Sequence, residues 1–171
     1  KPFFIITIDT EADDAWFSPD KISLTNFKEI PRFQMLCENY NIIPTYLLTY
    51  EYATFEPAVK YFKEKQNQGK CEIGMHLHVW STPPFKNNED KIDLDWVHAF
   101  QSELPDDLFE QKANYLYNAI CDSFESAPTS HRAGRWGIDD RTIKWLVRKK
   151  FKVDSSVVPM INYKSNKGKN V

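Results

Sequence analysis

The stretch Pro2-Phe-Phe-Ile-Ile-Thr-Ile-Asp9 runs from β-branched and aromatic residues straight into the polar cluster Asp9-Thr-Glu-Ala-Asp-Asp14. A short apolar run bounded by a turn signal is the signature of a buried strand that ends in a loop. Working outward, helices and strands alternate from there. A helical stretch beginning near Pro31 leads to about Tyr40, with Ile30, Phe33, Leu36, Cys37 and Tyr40 on one face. Residues 42–49 read as a second strand. Thr54 then offers a cap, Pro57 sits in a first turn, Phe55, Ala58, Val59 and Phe62 make an apolar stripe, and Gly69 supplies the stop. Residues 71–78 are a third strand. Residues 79–104 carry Pro83-Pro84 and scattered charge without a period, and a loop this long in a compact domain is often functional. Pro105 or Asp106 opens a helix with the stripe Phe109, Ala113, Leu116, Tyr117, Ile120 and Phe124, followed by an extended piece over residues 128–133. Asp139 or Asp140 caps a last helix with Ile143, Leu146 and Val147 inward, and residues 151–158 form a final strand. This order implies an α/β fold, a parallel sheet with helical crossovers, either doubly wound or a barrel.

With 171 residues, 42% hydrophobic and 15% aromatic, the chain suffices for one domain over residues 1–171 with a real core and is short for two. The formal charge is −2, so the molecule as a whole has no bias toward nucleic acid or an anionic membrane. Charge is uneven, however: residues 141–171 carry +8 and residues 1–140 carry −10. Lys149, Lys150, Lys164, Lys167 and Lys169 are not interleaved with a regular aromatic series, so the basic end reads as a solvated face and chain end, not a nucleic-acid arm. Apolar runs such as residues 3–8 fall far short of the ~20 residues a bilayer span needs, and no transmembrane segment is expected. Cys37, Cys71 and Cys121 are odd in number and widely spaced, which indicates buried thiols and not a disulfide framework or zinc ribbon. Neither compartment nor oligomeric state follows from these residues.

Parallel α/β architectures build their sites at C-terminal strand ends and the loops after them, and the polar residues of this chain gather there. Thr7, Asp9 and Glu11 share a face while the chain stays extended, because side chains alternate with period two. His76 and His78 in Gly74-Met-His-Leu-His-Val-Trp80 are likewise two apart, so both imidazoles reach one side while Met75 and Leu77 pack against helices. Two neutral imidazoles with one or two carboxylates suit a hydrolytic divalent metal such as zinc. The plainer alternatives are strand histidines satisfied by hydrogen bonds and an acidic run that is a solvated turn or a cap. Asp9 fits a turn less well, since a carboxylate buried at a sheet end is costly without a compensating cation. Ser130-His-Arg-Ala-Gly-Arg-Trp-Gly137 supplies Arg132, Arg135 and the Trp136 ring. Arg132 can hold Asp9 in a two-pronged pair, and Trp136 can stack on the apolar face of a sugar. Val153-Asp-Ser-Ser-Val-Val-Pro159 ends the last strand with polar groups, as a site or as a cap.

Four such clusters in this order resemble the NodB-type polysaccharide deacetylases, carbohydrate esterase family 4, over nearly the whole chain. Thr7-Ile-Asp9-Thr-Glu11 resembles that family's first motif, Thr-Phe-Asp-Asp, and Glu72-Ile-Gly-Met-His76 resembles the run into its histidine motif. Arg132-Ala-Gly-Arg-Trp-Gly137 is similar to its arginine motif, and Asp154-Ser-Ser to its fourth. The resemblance implies a distorted (β/α) barrel of parallel strands, a divalent metal with zinc favoured, and hydrolysis of an N- or O-linked acetyl group on a carbohydrate or polysaccharide. It makes Asp9 the base and Arg132 the residue that orients it, with Trp80, Arg135, Trp136, Asp154 and the 79–104 loop shaping a sugar groove.

The sequence departs from that family at three points. Thr10 stands at the second aspartate, a metal ligand, and Trp80 stands at the second metal histidine. Glu11 and His78, on the correct face by period two, are the substitutes that complete a site with His76, ahead of Asp13 and Asp14. The family's last motif, a Leu-x-Leu-His strand that provides the general acid, has no counterpart after Val158, leaving His131 and His98 as candidates. About five strands, against roughly seven or eight in a closed barrel, leave a hydrogen-bonding edge exposed. The barrel is therefore expected to be incomplete, with a polypeptide that continues past Val171 by at least one more strand ending in a histidine. Two other readings compete: a metal-dependent amidase acting on a small non-sugar C–N bond, and a catalytically inactive sugar-binding module on the same scaffold.

Overall fold

The structure, a computed structural model, describes residues 3–13, 15, 22–85 and 100–161. Asp14, His98 and the basic stretch 164–171 lie outside the described residues. Within the described residues five strands, β1 (Thr7–Thr10), β2 (Thr45–Leu48), β3 (Glu72–Leu77), β4 (Ser130–Ala133) and β5 (Val153–Asp154), pair in parallel in the order β1-β2-β3-β4-β5. That order decides between the two architectures. A doubly wound sheet reverses at a switch point, whereas consecutive order with right-handed crossovers puts the helices on one face and winds toward a barrel. Among the described residues the sheet does not close, and β1 and β5 are its edges. The described residues thus form an α/β fold with an open parallel sheet, wound in the manner of a (β/α) barrel.

Among the described residues five α-helices cross between or follow these strands: α1 (Ile30–Asn39), α2 (Tyr50–Thr54), α3 (Glu56–Asn67), α4 (Asp106–Phe124) and α5 (Asp140–Arg148). Pro31 and Pro57 occupy first-turn positions of α1 and α3, where the missing N–H has no partner to lose. Gly69, at φ +67°, follows the end of α3 in the left-handed conformation that glycine adopts without strain. Asp139 caps α5, its Oδ1 accepting from the Thr142 N–H and hydroxyl at 2.9 Å each. Of the expected α4 stripe, Phe109, Ala113, Leu116, Ile120 and Phe124 are buried, while Tyr117 is half-buried and Lys112 is buried beside them. The stripe packs with Ala58, Phe62 and Trp145 on the sheet face formed by Tyr46, Leu48, Ile73, Met75 and Leu77.

Several expectations are corrected. Thr54 closes α2, an extra short helix, and does not cap α3. β1 begins only at Thr7, and Phe3, Phe4 and Ile5 are exposed, because β1 is an edge strand. In α1 only Cys37 of the expected inward face is buried, while Phe33, Leu36 and Tyr40 are exposed. Gln34 takes the inward place instead: its amide donates to the Lys70 carbonyl at 3.0 Å and accepts from the Tyr46 hydroxyl at 2.9 Å. α5 turns Thr142, Trp145 and Leu146 inward and leaves Ile143 and Val147 exposed. β5 spans only Val153–Asp154 of the expected 151–158. The cysteines are free thiols, with Cys37 and Cys71 buried and Cys121 half-buried.

Candidate metal centre and active site

Strand register assembles the site on the sheet face away from the helices. β1 pairs Asp9 with Leu47 of β2, β2 pairs Leu47 with Gly74 of β3, and β3 pairs His76 with Arg132 of β4. Asp9, His76 and Arg132 therefore emerge on one face at one end of the sheet. Gly134 lets β4 approach so closely: a Cβ there would collide with the Leu77 carbonyl oxygen and lie 2.9 Å from the His78 ring.

Glu11 Oε2 lies 3.5 Å from His76 Nε2 and 2.9 Å from His78 Nε2. The two rings sit with centroids 4.7 Å apart. His76 Nδ1–H donates to the Arg132 carbonyl at 2.8 Å, because a carbonyl oxygen can only accept. That bond fixes the tautomer and leaves the Nε2 lone pair facing Glu11 and, at 4.0 Å, Asp9 Oδ2. A back-side bond of this kind orients metal-binding imidazoles. His78 Nε2 is buried and, for all its closeness to Glu11, has no hydrogen-bond partner. A buried nitrogen facing a carboxylate oxygen without hydrogen-bond geometry fits two lone pairs aimed at one cation. The donor atoms of Glu11, His76 and His78 all lie within 4.8 Å of one another, so these residues could hold one ion.

Electrostatics agree with that fit. Burial alone would raise the Glu11 pKa, but the close approach of the His76 and His78 ring nitrogens outweighs it and holds the carboxyl well below its ordinary range. Burial pushes His78 down, against the pull of Glu11, and so favours the neutral ring. An ionised carboxylate with a neutral imidazole is the protonation state that metal binding requires.

Arg132 is held by residues from both ends of the sheet. Nη1 donates to Asp9 Oδ1 and Nη2 to Thr7 Oγ1, each at 2.6 Å, while Nε reaches Ser155 Oγ at 3.1 Å and its carbonyl at 3.3 Å. The expected two-pronged pair is corrected accordingly: Asp9 takes one prong and Thr7 the other. Ser155 lies across from Arg132, one residue beyond the His131–Asp154 pair of β4 and β5, and that role becomes visible only once the register is known.

The remaining candidates fall elsewhere. Thr10 is buried and its hydroxyl donates to the Ile8 carbonyl at 3.1 Å. Asp13 accepts from Ser23, Thr25 and Asn26, which ties it to the 3₁₀ turn at Thr25–Glu29. Trp80 is buried and stacks on His78 with centroids 4.2 Å apart, so it is a wall of the site and not an open platform. Arg135 places its guanidinium 5.0 Å from the Phe100 ring centroid. Arg135 and Trp136 are half-buried and adopt φ of +54° and +56°, a left-handed conformation rare outside glycine and often found where strain serves a site. Asp154 pairs instead with His131, whose Nδ1–H donates to Oδ2 at 2.6 Å, and with Ser156. Both lie one residue out of phase with Arg132, on the helix side of the sheet, so neither joins Asp9.

The fold is similar to that of solved polysaccharide and peptidoglycan deacetylases. Two solved structures carry the likeness. One is a protein from Mycobacterium smegmatis described as a polysaccharide deacetylase, with a TM-score of 0.61 and 18% identity over 90% of this chain and 50% of that one. The other is the Bc1960 peptidoglycan N-acetylglucosamine deacetylase in complex with a naphthalenyl N-hydroxybenzamide, with a TM-score of 0.55 and 18% identity over 88% of this chain and 54% of that one. The chain spans about half the length of both. No family model matches the sequence, and no curated protein matches it.

Proposed function

We propose that this chain hydrolyses acetyl groups, N- or O-linked, from a carbohydrate or polysaccharide, with a divalent metal, zinc favoured, held by Glu11, His76 and His78. The observation that carries this reading is Asp9, fixed by Arg132 and facing the Glu11, His76 and His78 cluster. When bound, the ion supplies polarisation of the acyl carbonyl and acidification of water. Arg132 bonds Asp9 Oδ1 and turns Oδ2 toward His76, where it accepts the proton of the attacking water. Water oxygen bonds to the acyl carbon, the C–N or C–O bond breaks, and Asp9 returns the proton to the departing nitrogen or oxygen. His131, behind the sheet, takes no part in that transfer. Trp80 walls the site, and the half-buried Arg135 and Trp136 bind the sugar on the β4 side. Asp154 acts indirectly, through the end of β5. No described helix is long and apolar enough to cross a membrane.

The test is acetate release from N-acetylated and O-acetylated oligosaccharides by the zinc-loaded protein. Release that a chelator stops is the expected result. Zinc-loaded, folded protein that releases no acetate from either substrate contradicts the reading.

A further inference from the structure

A cavity of about 480 Å³ lies between α2 and the loop after β3. Its volume falls in the range of small-molecule sites. Tyr50, Phe55, Pro83 and Phe85 give it aromatic and apolar walls, and Glu51 and Ser81 add polar groups to the lining. The cavity adjoins the centre along the chain. Ser81 follows Trp80, which stacks on His78, and the Thr82 N–H donates to the His78 carbonyl at 3.1 Å.

Glu51 is the unusual member. It is only 9% exposed, its Oε2 has no hydrogen-bond partner, and no lysine or arginine among the described residues pairs with it. A carboxylate buried without donor or cation is costly. Aromatic ring faces attract cations, and a carboxylate supplies the opposing charge, so this lining has the two components of a site for an organic ammonium ion. An anionic ligand would be repelled by Glu51, and a neutral apolar one would leave it desolvated and unpaired. The wall is also built in place. Lys112 of α4 is fully buried, donates to the carbonyls of Thr82 at 2.6 Å and Pro84 at 2.7 Å, and lies 5.2 Å from the Phe85 ring centroid. Those bonds hold residues 82–85 where they line the cavity.

We propose that this cavity binds the primary ammonium group of an amino sugar, so that an already deacetylated unit sits beside the acetylated unit that reacts. The choice of an amino sugar rests on the deacetylase reading; the cation site itself does not. Calorimetric titration of the full chain with glucosamine and with N-acetylglucosamine, below neutral pH, tests it. Glucosamine is expected to bind at least about tenfold more tightly, and Glu51→Gln, which keeps the shape and removes the charge, is expected to abolish that preference. Phe55→Leu, which keeps an apolar side chain but removes the ring, is expected to weaken glucosamine binding severalfold, and it serves if the Glu51 variant does not fold. Equal affinity for the two sugars, or a preference unchanged in these variants, overturns the proposal. Charge-dependent glucosamine binding by a protein that releases no acetate would support the cation site and count against the deacetylase reading alone.

Discussion

Asp9 has one carboxylate oxygen committed to Arg132 and the other turned toward His76, the division of labour a positioned base needs. Asp9→Asn is expected to abolish acetate release while metal content and thermal unfolding stay close to wild type; retained turnover would remove Asp9 from the chemistry. Arg132→Lys cannot reproduce a fork that reaches Thr7, Asp9 and Ser155 together, so kcat should fall by about tenfold or more with the fold intact. Gly134→Ala would press a methyl group against the Leu77 carbonyl and the His78 ring, and a loss of about 1–3 kcal/mol in urea unfolding is expected. At this scale the sequence was legible wherever period two sufficed. Thr7, Asp9 and Glu11, and likewise His76 and His78, were placed on one face by spacing alone, and the structure brings them to one face. Glu51 and Ser155 were not legible, because their roles depend on what stands across a strand or cavity from them, which no local spacing records.

β5 is short, and the His131, Asp154 and Ser156 network ties its end to β4. Burial lowers the His131 pKa from its ordinary 6.5, partly offset by Asp154. Burial would raise Asp154 from its ordinary 3.8, but the bonds with His131 and Ser156 lower it. In both cases the unfolded chain takes up the proton first as pH falls. The stabilisation is therefore full above about pH 6.5, is eroded as His131 titrates in the unfolded chain, and is eroded again below about 3.8 as Asp154 does. The stability advantage of wild type over His131→Gln in urea unfolding should narrow between neutral pH and about pH 5, and a pH-independent difference would contradict this. Helix faces were the less legible feature. The α4 stripe is long and packs centrally, so its periodicity names the buried side, whereas α1, which follows the edge strand β1 in the chain, turns a polar Gln34 inward and leaves apolar residues outside.

For the whole molecule, the alternation of strand and helix patterns carried the architecture, and the consecutive strand order resolved what alternation could not, the choice between doubly wound sheet and barrel. Both edges of the sheet carry exposed apolar side chains, Phe3, Phe4 and Ile5 before β1 and Val157 and Met160 after β5. The proposed reaction turns on whether Glu11, His76 and His78 hold a metal. The direct measurement is the metal content of the purified protein by elemental analysis, beside Glu11→Gln and His78→Asn. The account predicts one tightly held divalent ion per wild-type chain and a substoichiometric content in both variants. Wild-type protein that stays metal-free after incubation with zinc, or an ion retained in full by both variants, would contradict it.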